Sequence, residues 1–176
     1  INACNSLFYW LEDHLNIPHK KMKWDERCAK TKTDGVFIPD FTGITSPYWV
    51  QPKEPVSYNL NNATNNEIIR AGMESIGFFI HDIIQTLIKD GFEITSIQSA
   101  GGGARKPLLQ FMADLLDIPV KRSKLKDKTA LGVFRLLFRN QFGEFPEITH
   151  SFQENFVPKI TDDQRKVKLD NWEKAL

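Results

Sequence analysis

The sequence is poor in the residues and patterns that mark several common classes of protein. It contains two cysteines, Cys4 and Cys28, in 176 residues, which are too few and too widely spaced for a disulfide framework or a structural zinc site. Its 23 basic and 22 acidic residues leave a net charge of +1, so there is no overall positive field to hold nucleic acid. We therefore expect no nucleic-acid partner, no structural metal and a reducing, cytoplasmic location.

Long apolar runs are also missing. The stretch Ile76–Ile80 is followed at once by His81 and Asp82, whereas a membrane helix needs about 20 consecutive apolar residues. The N-terminus has neither an initiator methionine nor the charged and apolar regions of a signal peptide. We expect no membrane partner, and we expect the chain to be part of a longer protein.

Periodic apolar residues predict helices in the first half of the chain. Leu7, Phe8, Leu11 and Leu15 fall on one side of a helix over residues 5–15. The tetrapeptide from Thr64 to Glu67 has the form of a capping box and predicts a long helix, which ends near Lys89 with Asp90-Gly91 as its exit. His81 on this helix is interpreted as a packed or surface residue.

The region between these two helices has a mixed character. The strongly basic stretch 19–34 is typical of a solvated connector. The run Gly35–Pro39 predicts a buried strand, and prolines and glycines make residues 39–55 irregular. We expect Phe41, Tyr48 and Trp49 to pack this segment, with a ligand site there as the less favoured alternative.

The second half of the chain alternates between strand and helix patterns. Strands are predicted over 92–97 and 118–120, and helices from Pro107, over 129–138 and over 162–176. The helix over 129–138 is expected to face inward with Leu131, Phe134, Leu137 and Phe138. This order predicts an α/β fold in layers.

A glycine-rich turn joins one of these strands to the next helix. Because glycine has no Cβ, Gly101, Gly102 and Gly103 allow a ligand to approach the backbone, and the following helix start favours a phosphate or another electron-rich group. Lys106 stands where the dinucleotide fingerprint needs a third glycine, and Arg105-Lys106-Pro107 does not fit a Walker loop. A tight turn without a ligand therefore remains the alternative.

No catalytic or metal centre is evident elsewhere in the sequence. Asp114 and Asp117 are interpreted as surface carboxylates rather than an acid/base pair, and no Ser, His or Asp has the local context of a nucleophile. The basic segment 121–128 is interpreted as a solvated loop, with contact to nucleotide phosphates or to an acidic partner as the alternative. We assign no catalytic residue and no metal ligand.

Four collinear motifs resemble those of the FGGY family of carbohydrate kinases. Residues 35–49 resemble the "G-V-x-x-V-P-x-F-T-G-L-x-A-P-Y-W" segment of glycerol kinases, and residues 67–76 resemble their "H-I-I-R-A-x-L-E-S-I" helix. Residues 101–114 are similar to the wider family's "G-G-G-A-[KR]-S-P-L…A-D" motif, including that of xylulose kinases, and residues 129–132 to its "T-A-L-G" helix start. The resemblance is closest to glycerol kinases.

This resemblance implies an actin-like, ribonuclease H-like ATPase half-fold, with its sheet incomplete in this chain. In the family the glycine motif lies against the adenosine end of ATP, a role that falls on Gly101, Gly102, Gly103, Ala104 and, with a changed side chain, Arg105. An earlier family helix offers Gly and Gln to the nucleotide, and the aligned residues here are Asn5 and Tyr9. Lys106 stands where the motif usually has Ser.

The resemblance further implies that residues 1–176 are the single C-terminal, nucleotide-binding portion of a two-domain kinase that uses ATP and Mg²⁺. The catalytic base, the phosphate loops, the Mg²⁺ site and the domain that binds glycerol or a sugar are expected outside this chain, which alone should not catalyse phosphoryl transfer. The N-terminal domain is thus the expected partner, and a homodimer stays open. The alternative is a non-catalytic nucleotide-binding or interaction module of the same fold.

Overall fold

The computed structural model describes residues 4–51, 53–149 and 151–176, apart from the side chains of residues 4 and 5. Helices and strands alternate along most of this length. The elements are α1 (Cys4–His14), α2 (His19–Met22), α3 (Trp24–Lys30), β1 (Val36–Ile38), β2 (Val56–Tyr58), α4 (Asn65–Lys89), β3 (Ile97–Ser99), α5 (Lys106–Leu116), β4 (Val120–Ser123), α6 (Lys128–Phe142), β5 (Phe152–Phe156) and α7 (Asp162–Ala175).

The strands form two small sheets. In the larger one, β3 and β4 run parallel with Ile97 opposite Val120, and helix α5 makes the crossover between them. Strand β5 is antiparallel to β4, with Phe156 also opposite Val120. Strands β1 and β2 form a separate antiparallel pair. The parallel β3–α5–β4 unit confirms the predicted α/β fold class.

Helix α4 is the centre of the hydrophobic core. It begins with the predicted capping box, in which Glu67 N–H donates to the Thr64 hydroxyl and the Glu67 carboxylate accepts from the Thr64 amide. Two glycines let neighbours approach closely: a Cβ on Gly72 would lie 2.8 Å from Leu11 Cδ1, and a Cβ on Gly77 would lie 2.5 Å from Phe111 Cδ1. Helices α1 and α5 therefore pack directly against the α4 backbone.

A second cluster of buried aromatics attaches α7 to this core. Trp172 stacks on Phe78 with ring centroids 4.8 Å apart and meets Phe79 edge-on at 5.0 Å. Its indole Nε1–H donates to Asp82 Oδ2 at 2.7 Å. Because a buried indole usually needs a hydrogen-bond acceptor, Asp82 helps to fix the position of α7.

Several elements agree with the sequence predictions. Helices α1, α4 and α7 lie where they were expected, β1 is buried throughout, and α5 begins with Pro107 in its first turn. Gly91 provides the left-handed exit of α4 with φ +91°. These elements have strong local signals, namely caps, Pro or Gly at helix ends, and apolar periodicity.

The prediction of a solvated connector over 19–34 is wrong. This segment forms α2 and α3, whose side chains Met22, Trp24 and Cys28 are buried. The basic residues lie on the outer side of these short helices. Because they dominate the local sequence, its pattern did not indicate that three apolar residues pack on the core. Trp24, for example, meets Phe8 of α1 edge-on at 4.6 Å.

The strand predictions are only partly correct. The strand expected over 92–97 is β3 at Ile97–Ser99, and β4 extends over Val120–Ser123, into the segment interpreted as a basic loop. Strands β2 and β5 were not predicted. In the irregular segment after β1, Phe41 packs near Trp10 and Phe37, but Trp49 is 74% exposed and so does not pack as expected.

Helix α6 lies where the pattern predicts, but its apolar face does not point inward. None of its fifteen residues is buried, and Phe134 and Leu137 are 50% and 64% exposed. The spacing of the apolar residues therefore predicted the position of this helix correctly, but the predicted burial of its apolar face is wrong. No helix within the described ranges is both long and apolar enough to cross a bilayer.

Candidate functional site

The glycine turn lies at the carboxyl end of the parallel strand pair. It begins two residues after Ser99, the last residue of β3, and leads directly into α5. The loop that follows β4 reaches the same place, because the carbonyl oxygen of Lys126 is 3.8 Å from where a Cβ on Gly101 would be. The carboxyl ends of parallel strands are where open α/β sheets bind ligands.

The backbone of this turn is anchored to the protein core on one side and exposed on the other. Gly101 has φ +85°, and its carbonyl accepts from the Ala104 amide at 3.2 Å, while Gly103 O accepts from the Arg105 amide at 2.8 Å. Ala104 is 3% exposed and belongs to the main core. A ligand can therefore approach a turn whose far side is fixed to the protein.

Gly102 and Gly103 are not required by the packing of the chain itself. A Cβ on either residue would meet nothing within 4 Å, and neither residue has a positive φ. This differs from Gly72 and Gly77, where neighbouring side chains exclude a Cβ. Two adjacent glycines that folding does not explain leave open space beside exposed backbone, as close approach by a ligand requires.

The first turn of α5 borders this space, although Pro107 within it has no N–H to donate. Arg105 is the N-cap residue in an extended conformation, and its side chain makes no capping hydrogen bond. The first amides of an α-helix have no partner within the helix and carry the positive end of its dipole. The turn and the helix start together favour an electron-rich group.

Arg105 connects the glycine turn to the N-terminal helices. Its Nη1 donates to Asp25 Oδ1 on α3 at 3.1 Å, and its Cζ lies 5.5 Å from the ring centroid of Phe8 on α1. The guanidinium is therefore oriented by an ion pair and by a cation–π contact. Neither Phe8 nor Asp25 was identified from the sequence as part of the site, since Asp25 is eighty residues from Arg105.

The structure connects the two candidates on α1, Asn5 and Tyr9, to the glycine turn less directly than Arg105. Tyr9 follows Phe8 and is 64% exposed, with no hydrogen bond from its hydroxyl to the described part of the chain. Asn5 lies in the first turn of α1, but its side chain is outside the described residues. Four residues apart on one helix, the two positions share a face. The structure thus brings α1 to the glycine turn through Arg105 and Phe8.

A second charged group borders α5 and the sheet. Glu154 of β5 accepts hydrogen bonds from Lys106 at the start of α5 and from Arg122 of β4, the latter at 3.3 Å. The Lys106 hydrogen bond, reinforced by Arg122, holds the pKa of Glu154 below its usual value. The sequence offers no local signal for this triad because Lys106 and Glu154 are 48 residues apart.

The other charged candidates have structural roles. Asp114 Oδ1 accepts from the Lys159 amide at 2.8 Å, and Asp117 Oδ1 pairs with Arg165 Nη2 at 2.8 Å, so both carboxylates help to fix α7. Within residues 4–51, 53–149 and 151–176, no three His, Cys, Asp or Glu side chains are grouped closely enough to hold a metal ion.

Comparisons with known proteins agree with this description. Residues 1–140 match the model of the FGGY family of carbohydrate kinases, C-terminal domain. Glycerol kinase of Coxiella burnetii (strain Dugway 5J108-111) is 31% identical over 175 residues, which are 95% of this chain and 35% of that protein. Glycerol kinase of Geobacillus kaustophilus is 31% identical over 185 residues, which are 100% of this chain and 37% of that protein.

Solved structures show the same fold. Plasmodium falciparum glycerol kinase with ADP superposes with a TM-score of 0.76 at 25% identity, covering 98% of this chain and 36% of that one. A ligand-bound xylulose kinase from Lactobacillus acidophilus gives a TM-score of 0.78 at 18% identity, covering 96% and 36%. These neighbours confirm the fold expected from the motifs, and the chain spans about a third of the length of the relatives it matches. The chain therefore belongs to the FGGY family of carbohydrate kinases, whose C-terminal domain its first 140 residues match.

Proposed function

We propose that this chain binds the adenosine end of ATP as the nucleotide-side portion of an ATP-dependent kinase of the glycerol kinase type. The complete enzyme transfers the γ-phosphate of ATP to a hydroxyl of glycerol or of a sugar. The single observation that carries this proposal is the turn at Gly102 and Gly103, where open space borders exposed backbone that folding does not require to be glycine.

Each part of the turn has a distinct role in this proposal. Gly101 makes the positive-φ bend, Gly102 and Gly103 admit the nucleotide to the backbone, and Ala104 anchors the turn in the core. Arg105 forms a wall of the site towards α1, where its guanidinium lies over the Phe8 ring, and a planar guanidinium of this kind can also stack on a base. Asn5 and Tyr9 of α1 are the further nucleotide-binding candidates of this proposal.

ATP and Mg²⁺ are the cofactors of this proposal. Mg²⁺ bridges and neutralises the phosphate oxygens during phosphoryl transfer. The turn and the α5 start fit the nucleotide, since they offer backbone donors and open space, but the described residues hold no cluster of metal-binding side chains. We place the Mg²⁺ site outside this chain, the catalytic base and the acceptor site N-terminal to it in the same polypeptide, and the whole kinase in the cytoplasm, with a homodimer as the assembly to be tested.

Nucleotide binding by the protein expressed from its complete reading frame tests the proposal. Isothermal titration with ATP and ADP is expected to show binding that Gly102→Val abolishes, because the added side chain fills the open space. Gly132→Ala is the matched control, since Gly132 lies in α6 with nothing within 4 Å of its Cβ position. Equal affinity of wild type and Gly102→Val would contradict the proposal.

Turnover distinguishes the kinase from the non-catalytic module. The same preparation is assayed with ATP and a panel of polyols and sugars, with ADP release as the readout. Phosphorylation of any acceptor supports the kinase. Tight nucleotide binding without turnover of any acceptor would instead support the non-catalytic module. The observation in favour of that module is that Asp25 and Phe8 already hold the Arg105 side chain.

A further inference from the structure

A cavity of about 580 Å³ lies between helices α4, α5 and α7 and the chain just before β1. Its lining residues do not include any of Gly101–Arg105, so it is separate from the glycine turn. Helix α4 contributes Glu67, Arg70 and Glu74, which share one face of the helix because they are three and seven residues apart. A volume of this size is typical of sites for small molecules.

The deepest part of the cavity carries a net positive charge. Glu74 is 1% exposed, and its two carboxylate oxygens accept from Arg70 Nε at 2.6 Å and from Lys168 Nζ at 2.8 Å. The side chains of Arg70 and Lys168 are only 16% and 18% exposed. Two cations around one carboxylate leave one positive charge without a counter-ion, and partly buried charges need one. We call these three residues the cationic floor.

Both cations of the floor retain hydrogen-bond donors. Arg70 uses Nε for Glu74 and Nη1 for the carbonyl oxygen of Cys28, and Lys168 donates to Glu74 and to the carbonyl oxygen of Thr33. A guanidinium has five N–H groups and an ammonium has three. No group in the described part of the chain accepts from Arg70 Nη2 or from the third Lys168 hydrogen. A ligand carboxylate, with two oxygens, suits these two donors.

Two carboxylates on the cavity wall retain free acceptors. Glu67 uses Oε2 in the capping box of α4, and Asp114 Oδ1 accepts from Gln110 at 2.9 Å and from the Lys159 amide at 2.8 Å. Glu67 Oε1 and Asp114 Oδ2 accept no hydrogen bond from the described residues. Glu67 precedes Arg70 by three residues, or about 4.5 Å along the helix axis. Opposite charges are thus offered about one helical turn apart, and we call Glu67 and Asp114 the acidic wall.

The remaining surface of the cavity is apolar. The Phe111 ring is 3% exposed, and Arg70 Cζ and Lys168 Nζ lie 5.7 Å and 5.9 Å from its centroid. Ile160 and Val167 also line the cavity, and Val167 is 49% exposed, so that it borders the entrance. A ligand held by the cationic floor can therefore also bury an apolar group.

We propose that this cavity binds a free α-amino acid with an apolar side chain. Its carboxylate lies on the cationic floor, its ammonium group faces the acidic wall, and its side chain contacts Phe111, Ile160 and Val167. A simple anion would satisfy the floor and be repelled by the wall. Lys32 and Asp34, the other charged residues of the lining, are exposed and opposite in charge, so they add no net charge. This ligand site goes beyond the proposed function and does not depend on it.

Isothermal titration of the protein expressed from its complete reading frame tests the proposal. The probes are L-leucine, L-isoleucine and L-phenylalanine. Two analogues of leucine each lack one charge: 4-methylpentanoate has no ammonium group, and leucinamide has no carboxylate. We expect an amino acid to bind and each analogue of leucine to bind about tenfold more weakly. Binding of none of the three amino acids, or equal binding of leucine and 4-methylpentanoate, would overturn the proposal.

A variant at the entrance provides the second measurement. Val167→Trp adds bulk at the border of the cavity, and Val157→Trp is the matched control, since Val157 is 48% exposed and does not line the cavity. We expect Val167→Trp to weaken amino-acid binding about tenfold and the control to leave it unchanged. Equal affinities of the two variants would overturn the proposal.

ATP titration of the same samples separates the two ideas. A protein that binds ATP and no amino acid retains the proposed function and loses only this inference. A protein that binds an amino acid and no ATP retains this inference and loses the proposed function.

Discussion

Lys168 of the C-terminal helix α7 donates a hydrogen bond across 2.8 Å to Glu74 Oε2, a carboxylate oxygen in the middle of the central helix α4. The Glu74 side chain is 1% exposed, and its second oxygen accepts from Arg70 Nε at 2.6 Å. Lys168 also donates to the carbonyl oxygen of Thr33. A buried carboxylate with two cationic partners thus joins α7, α4 and the chain before β1.

Removing the carboxylate should destabilise the protein more than removing one cation. We expect Glu74→Ala to lower the free energy of unfolding by about 3–5 kcal/mol, because it leaves Arg70 and Lys168 partly buried without their anion. Lys168→Met should cost less, since Arg70 still pairs with Glu74. Chemical denaturation measures both, with Lys166→Met at an exposed position of α7 as the control. A smaller loss for Glu74→Ala than for Lys168→Met would contradict the assignment.

The glycine turn should separate stability from nucleotide binding. Gly101→Ala forces a Cβ into φ +85° and should cost about 1–2 kcal/mol of stability. Gly102→Ala meets no neighbour and should leave stability nearly unchanged. Yet Gly102→Ala should weaken ATP binding about tenfold, which corresponds to about 1.4 kcal/mol. Thermal unfolding and titration on the same samples test this, and unchanged affinity would show that the nucleotide does not approach Gly102.

Arg105 should contribute to nucleotide affinity through its fixed position. Asp25→Ala removes the acceptor of its hydrogen bond and leaves the guanidinium only its contact with Phe8. We expect Arg105→Ala to weaken ATP binding, and Asp25→Ala to weaken it by a smaller factor. Glu26→Ala, at the next residue of α3, is the control. If Arg105→Ala tightened binding, the side chain would be an obstruction at the site rather than a wall of it.

Cys28 should resist thiol reagents in the folded protein. Its side chain is 1% exposed, and burial raises the pKa of the thiol from 9.0 to about 12. Alkylation requires the thiolate, so we expect labelling at pH 8 only when the protein unfolds. Peptide mass spectrometry of a Cys4→Ser variant treated with iodoacetamide, with and without denaturant, measures this. Rapid labelling of the native protein would contradict the burial of Cys28.

The same thiol should make stability depend on alkaline pH. Because its folded pKa lies above the unfolded value of 9.0, its contribution is present below pH 9.0 and declines as the pH rises towards about 12. Urea unfolding of Cys28→Ala should lack this part of the decline. A variant whose stability falls with pH as steeply as that of the parent would show that other groups cause the decline.

The sequence by itself determined the elements with local signals. The capping box at Thr64, the glycine exit at Gly91 and the proline in the first turn of α5 are local signals, each of which depends on only a few neighbouring residues, so they were enough to locate α4 and α5. The glycine turn was predicted for the same reason, because its position between an apolar run and Pro107 is visible in the chain. The motif order also identified the family.

Only the tertiary structure decided which distant residues meet and which faces are buried. The basic segment 19–34 folds into α2 and α3 because Met22, Trp24 and Cys28 pack in a core that is built mainly by later residues. The pairs Arg105–Asp25 and Lys168–Glu74 join residues eighty and 94 positions apart, and no local pattern encodes them. The period of α6 predicts an apolar face, but burial depends on what packs against it, and only the assembled structure shows that face uncovered.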